Sequence, residues 1–456
     1  MAGRNLGAIV TGFAVFSSTL SGFGFVGGPG LVYQMGMSSV WMVICTGIGY
    51  LISFVLLGKK MRLLGELRAC ISLPDVAAAR YKSESVRAAV AVAILLGVLG
   101  YLATQILAMA VILKDILEQS GFFTSISLEV CTIISCAGLV FYTVTGGITA
   151  AVYTDLVQGA VMMVAAILVL LTILSFYDGG ITEMNQIIHA DNPQAIGPWG
   201  TLGMIGCLSW FFLFALGGCG QPHVITKIMM NKKVSDARYI LPVSVAGYFT
   251  SALLWIGIGL VMRSLVVSGA HPALSSPDAA APQFLQNYTH PLLAGVVFAG
   301  IFAAIMSTAD GFLNIGTAAV IHDLPRSIKR LSFRNELLWA RIATVLIAIL
   351  AAIFALYTGD LVALLGAFGW GTFAAALVPV IALGLNWKRA TPLAANTAIV
   401  TSLLVNFGIK VSGLQMPYNL HEGAVALVVS LVLFIVVSKL STPQKIDPDI
   451  EAVMDL

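Results

Sequence analysis

The chain has 456 residues, of which Ala, Val, Ile, Leu, Met, Phe, Trp, Tyr and Cys make up 59% and Asp, Glu, Lys and Arg only 10%, with a net charge of +3. Its mean hydropathy is +0.96. A soluble protein of this length would carry about 25% charged residues, so the composition excludes a soluble enzyme or nucleic-acid binder and specifies a polytopic membrane protein, with the lipid bilayer as its first partner. The six cysteines form no CxxC pair and have no histidine at metal spacing, which supports neither a disulfide framework nor a zinc site.

Apolar stretches long enough to cross about 30 Å of hydrocarbon fall near residues 8–34, 38–58, 86–113, 125–145, 148–176 and 199–230. A second set follows at 240–268, 291–320, 337–357, 361–386, 390–413 and 421–438. The first run is too long for a cleavable signal peptide and lacks a small-residue cleavage site. It contains Ser21 to Gly30, SGFGFVGGPG, with five glycines and a proline in ten positions. Glycine costs about 1 kcal/mol against alanine in a helix and proline removes a donor, so this stretch is expected to break the span. A second break is expected at Gly217-Gly218-Cys219-Gly220-Gln221-Pro222. Broken backbone survives at membrane depth only where it is buried in protein or lines a cavity. Two interrupted spans in corresponding halves point to a transporter built from inverted repeats.

If the N-terminus is cytoplasmic, 21 of the 24 lysines and arginines fall on the inner side, Lys227 among them, and only Lys114, Arg263 and Lys410 fall elsewhere. Both termini are therefore expected in the cytoplasm of a cell whose plasma (inner) membrane holds the protein. No phosphate-binding glycine loop is present, so concentrative work must come from an ion gradient. No Ser/His/Asp, HExxH or paired metal cluster sits at membrane depth, so the chain is not expected to be an enzyme. The tail from Ser441 is too short for the signalling module of a symporter-like sensor.

The blocks Ala2-Gly3-Arg4-Asn5-Leu6, Ser21 to Gly30 with Tyr33, residues 142–159 (YTVTGGITAAVYTDLVQG), 217–223 (GGCGQPH) and 303–308 (AAIMST) resemble the solute:sodium symporter family, whose members carry proline, pantothenate, monocarboxylates, sialic acid and sugars. The resemblance covers essentially the whole chain. It implies an all-α polytopic protein of the LeuT-type fold, with inverted five-helix repeats at about 8–176 and 199–386, extra helices at 390–438 and a short cytoplasmic tail at 441–456. It implies sodium-coupled symport of a small organic solute by alternating access. Family members carry one more helix before the AGR motif, where Met1 stands here; that helix is peripheral, and the core is expected to fold without it.

Candidate ion ligands combine spacing with resemblance. The Ala304 carbonyl lies within one helical turn of the Ser307 and Thr308 hydroxyls, and the family pattern adds the carbonyls of Ser17 and Leu20. Asp155 and Asp310 are acids inside the membrane zone, each a functional-site hypothesis by default; they suggest a second cation or a coupled proton. At the Asp310 position relatives more often have Ser or Thr. The solute pocket is expected at Ser21, Gly22, Phe23 and Gly24 of span 1, Gln105 of span 3, Phe214, Gly218 and Gln221 of span 6, and Trp370 of span 10. Exposed amide groups at a broken helix favour an anionic end such as a carboxylate. Proline-type carriers have an aromatic at the positions of Phe214 and Gly218 and an acid at that of Thr19, which points to a solute larger than, or different from, proline.

Overall fold

The computed structural model describes residues 6–121, 123–145, 148–329 and 334–456. The Ala2-Gly3-Arg4-Asn5 motif and Gly146-Gly147 of the 142–159 block lie outside the described residues. Among the described residues, eleven helices are long and apolar enough to cross a membrane, from Ser38–Leu67 to Glu422–Leu440. The twelfth expected span is the first, and it is discontinuous. Helix Ala8–Ser17 is followed by a non-helical turn over residues 18–21, then by a widened π-helical turn Phe23–Gly27 and an α-helix Gly28–Met35.

This corrects the expected position of the break. The backbone leaves helical geometry at Ser18 to Ser21, on the N-terminal edge of the glycine-rich stretch, while the glycines and Pro29 are helical. The amides of Thr19 and Leu20 both bond to the Phe16 carbonyl, which ends the first half-helix. Pro29 follows the π turn Phe23–Gly27, where the change of hydrogen-bond register accommodates a residue that has no amide donor. The glycines serve close packing instead: a methyl group on Gly27 would lie 2.5 Å from the Ala363 amide nitrogen, and one on Gly28 2.3 Å from the Trp255 ring.

The second break lies where the sequence placed it. In span 6, Gly203–Trp210 passes through a π-helical turn Phe211–Leu216 and a 3-10 turn Gly217–Gly220. Gln221 is extended, and Pro222 opens the half-helix Pro222–Met229. Span 10 (Val362–Asn386) is buried over almost its whole length. It packs along span 3 (Glu84–Gln119) and touches both the π turn of span 1 and the 3-10 turn of span 6. Span 8 (Pro291–Ile328) lies against spans 3 and 5 (Ile148–Leu174), and span 7 (Ala237–Val267) against both halves of span 1. Spans 4 (Leu128–Thr145) and 9 (Glu336–Thr358) are mostly exposed, as helices facing lipid would be.

On the face rich in lysine and arginine the C-terminal tail docks as a short helix, Pro448–Met454, burying Ile450, Val453 and Met454. Arg68 pairs with Asp447 and Asp449, Lys388 with Glu451 and Asp455, and the buried Lys60 ammonium donates to the Met454 carbonyl at 2.8 Å. Hydrogen bonds from Lys82 and Arg68 hold the Asp447 carboxyl below its ordinary value. On the opposite face, the Val362 amide donates to the buried Asp278 carboxylate at 2.9 Å, next to Gly30, tying the start of span 10 to the loop after span 7.

Candidate functional site

The two breaks and span 8 meet around a cavity of about 220 Å³. Its inner wall is Ser18, His223, Ser307, Thr308, Asp155, Asp310 and Lys227, and it runs to Ser72 and Asp323 in the segments of the basic face. Ser307, Thr308 and Asp310 lie within one turn of span 8 and all border the cavity, so span 8 contributes two hydroxyls and a carboxylate to its wall.

The expected ion ligands are brought together in part. Ala304, Ser307 and Thr308 are buried, and the break begins directly after Ser17, so the Ser17 and Leu20 carbonyls stand where the helix unwinds. The Thr308 hydroxyl is buried with no hydrogen-bond partner among the described residues. A buried hydroxyl without a partner is an exception to the usual pairing of buried polar groups, and this one borders the cavity. Ser307 differs: its hydroxyl donates to Asp155 Oδ1. Asp155 Oδ2 accepts from the Lys227 ammonium at 3.0 Å, and the same ammonium donates to the Ala14 carbonyl at 2.7 Å. The Asp310 carboxylate accepts from the Asn314 amide at 3.1 Å.

The solute candidates divide. Phe23, Phe214 and Trp370 form one aromatic cluster: Phe23 lies 6.2 Å from Phe214 and 5.8 Å from Trp255, and Phe214 lies 5.5 Å from Trp370. Gln105 accepts from the Gly22 amide at 3.1 Å, tying span 3 to the broken span 1, while its amide nitrogen has no partner among the described residues. Gln221 donates to the carbonyls of Gly217 and Trp370, while its own oxygen has no partner among the described residues. Trp370 donates to the Leu213 carbonyl at 3.0 Å. Ser21 is buried beside this cluster at the end of the turn. Two glycines fall outside it. A side chain on Gly218 would meet the backbone of Gly49 in span 2, so Gly218 serves helix approach, and one on Gly24 would meet only the Leu20 side chain of its own span; neither would point into the cluster. Their lack of a side chain hid the direction they face.

Of the cavity residues that escaped the sequence reading, His223 and Lys227 bear most on its chemistry. His223 was seen only as the end of a motif, yet it is 3% exposed and neither ring nitrogen has a partner among the described residues. Its ring lies 4.8 Å from Phe312, 5.8 Å from Tyr101 and 5.9 Å from Trp370, at the junction of the aromatic cluster and the cavity. Lys227 was assigned to the basic face; its ammonium instead turns inward to Asp155. The available signal was their spacing: four apart after the Pro222 break, they share a helix face.

A family model described as the sodium:solute symporter family matches residues 1–402. The osmoregulated proline transporter OpuE of Bacillus subtilis is 27% identical over 449 residues, covering 97% of this chain and 89% of its own length. The sodium/pantothenate symporter of Haemophilus influenzae is 27% identical, covering 94% and 88%. Among solved structures, a Na+-coupled sialic acid symporter in its substrate-bound outward-open state superposes with a TM-score of 0.73 at 19% identity, over 98% of this chain and 92% of that one. Mhp1, a nucleobase-cation-symport-1 transporter, gives 0.59 at 14% identity, over 100% and 97%. The fold is thereby the LeuT-type helix bundle.

Proposed function

Because the chain belongs to the sodium:solute symporter family and works by sodium-coupled solute symport, we propose as its specific activity the uptake of a small carboxylate-bearing solute across the plasma membrane by alternating access. Proline and pantothenate, named for two relatives, share that group. The repeats are taken as residues 8–176 and 199–386, and the face bearing Lys60, Arg68, Arg80 and Lys388 as cytoplasmic, with both termini on that side, by the positive-inside rule.

On that orientation the cavity opens inward, and the aromatic cluster with the Asp278–Val362 tie closes the outer side. The solute's carboxylate meets backbone amides where span 1 resumes, and its remaining polar atoms meet the spare Gln105 nitrogen, the spare Gln221 oxygen and the His223 ring. Sodium is held by the hydroxyls of Thr308 and Ser307 and by carbonyls at the break, joining span 8 to span 1. The observation that carries the reading is the unpartnered Thr308 hydroxyl in a cavity reaching the basic face. Uptake of radiolabelled amino acids, short carboxylates, pantothenate, sialic acid and hexoses into proteoliposomes tests it. Accumulation of a carboxylate only with inward sodium is expected. Accumulation driven equally by a proton gradient in potassium would transfer the coupling to protons at Asp155 and Asp310.

A further inference from the structure

We propose that Lys227 is a tethered cation: its ammonium permanently fills the place beside Asp155 that a second sodium would take, so the carrier couples each solute to a single free ion. The inference rests on reading Asp155 and Ser307 as a cation-binding pair.

A lysine near the cytoplasmic end of a membrane helix can extend its stem and leave its charge in the interface at little cost. Lys227 does not. Its side chain is 15% exposed, and two of its three donors go to Ala14 at 2.7 Å and Asp155 at 3.0 Å. Those acceptors are a helix carbonyl of span 1, close to its break, and a carboxylate of span 5. With Ser307 of span 8 on the other carboxylate oxygen, the group joins spans 1, 5, 6 and 8 around one positive charge. A carbonyl, a carboxylate and a neighbouring hydroxyl are the oxygen types a hard monovalent cation selects. A lone buried carboxylate is costly unless a cation compensates it. Here the protein supplies that cation covalently, so none need enter with the solute. Thr308, which has no such partner, remains for the ion that is carried.

The test compares unmodified protein, Lys227→Gln and Asp155→Asn/Lys227→Met in proteoliposomes. The sodium-to-solute ratio is read from reversal potentials, and sodium-dependent melting is read on the purified proteins. The unmodified protein is expected to give a ratio of one. Lys227→Gln, its carboxylate uncovered, is expected to melt at lower temperature without sodium, to regain stability as sodium is added, and to transport at a ratio of two with cooperative sodium dependence. The double variant, without the charge pair, should return to one. At about 100 mV and a tenfold sodium gradient the accumulation limit would rise from roughly 500-fold to its square.

A ratio of two in the unmodified protein overturns the proposal. So does a folded Lys227→Gln that keeps a ratio of one. A Lys227→Gln that fails to fold at any sodium concentration while the double variant folds also overturns it, because the lysine is then a structural counter-ion only. Uptake by the unmodified protein that ignores sodium altogether would instead refute the sodium reading of the whole site.

Discussion

Thr308→Val separates ion binding from folding more cleanly than any other substitution in the cavity. Valine keeps the branched shape and replaces the hydroxyl by a methyl group, so a buried side chain loses a polar atom without leaving a void. That hydroxyl has no partner among the described residues, and an unpaired buried polar group costs about 1–3 kcal/mol. The variant without sodium should therefore melt at the parental temperature or above it. Loss of one ligand from a desolvated cation should cost about 1–3 kcal/mol, which is roughly a 5- to 150-fold rise in the sodium concentration for half-maximal uptake. The same change appears in melting curves. Sodium at 100 times its dissociation constant stabilises the parent by about 2.7 kcal/mol, and a variant binding roughly 50-fold more weakly gains only about 0.6 kcal/mol. Ser307→Ala is a poorer probe because it also strips the hydrogen bond to Asp155. Parental sodium dependence in Thr308→Val, by uptake and by melting, would refute the assignment of span 8 as the ion site.

His223→Phe keeps the ring among Tyr101, Phe312 and Trp370 but removes both nitrogens; the solute KM should rise about tenfold, the worth of one buried hydrogen bond, with sodium dependence unchanged, and a parental KM would remove His223 from the solute site. Gly27→Ala puts a methyl group against the Ala363 backbone and should lower the melting temperature markedly, whereas at Gly24 the added carbon meets only the end of Leu20 and should be tolerated; equal melting of the two variants would contradict the packing role given to Gly27. Burial pushes the Asp278 carboxyl up from 3.8 to about 7. The unfolded group releases its proton near 4 and the folded one near 7, so its contribution to stability falls as pH rises across that interval and is constant above it, by at most about 4 kcal/mol. Asp278→Asn should flatten that part of the melting profile between pH 4 and 8, and an unflattened profile would exclude the carboxyl as its source.

Most of the fold was legible because lipid imposes a simple rule: apolar length gives the spans, and the side on which lysine and arginine fall gives their alternation. The break in span 6 was legible as well, since Pro222 has no amide proton and its predecessor is driven to extended backbone, as Gln221 is. The break in span 1 was misplaced by a few residues for a physical reason. Glycine permits a break and also permits close packing, and only three-dimensional neighbours decide between them; Ala363 and Trp255 claim Gly27 and Gly28. Gly218 misled similarly, because its direction toward Gly49 has no sequence signature. Lys227 was misread because the positive-inside rule sorts charges by membrane side and is silent on whether a long side chain turns outward or inward.

The position of Lys227 also bears on how coupling can work. A carried ion drives alternating access only if it binds more tightly to one arrangement of the helices than to the other. It must therefore bridge elements that move apart. In the proposed assignment Thr308 and the Ser17 and Leu20 carbonyls meet that requirement, since one belongs to span 8 and the others to the end of the first half-helix of span 1 and the turn that follows it. Lys227 bridges the same pair of elements through Ala14 and, by way of Asp155, Ser307. Two ties of like charge thus span one seam, and they differ in that only one can leave. On the proposed reading, when the free ion departs the ammonium of Lys227 still lies beside Asp155, so the emptied cavity carries no uncompensated buried carboxylate at that point. On this proposal the empty carrier reorients with Asp155 still covered only if the ammonium keeps its bond to Asp155 and releases the Ala14 carbonyl as the seam opens.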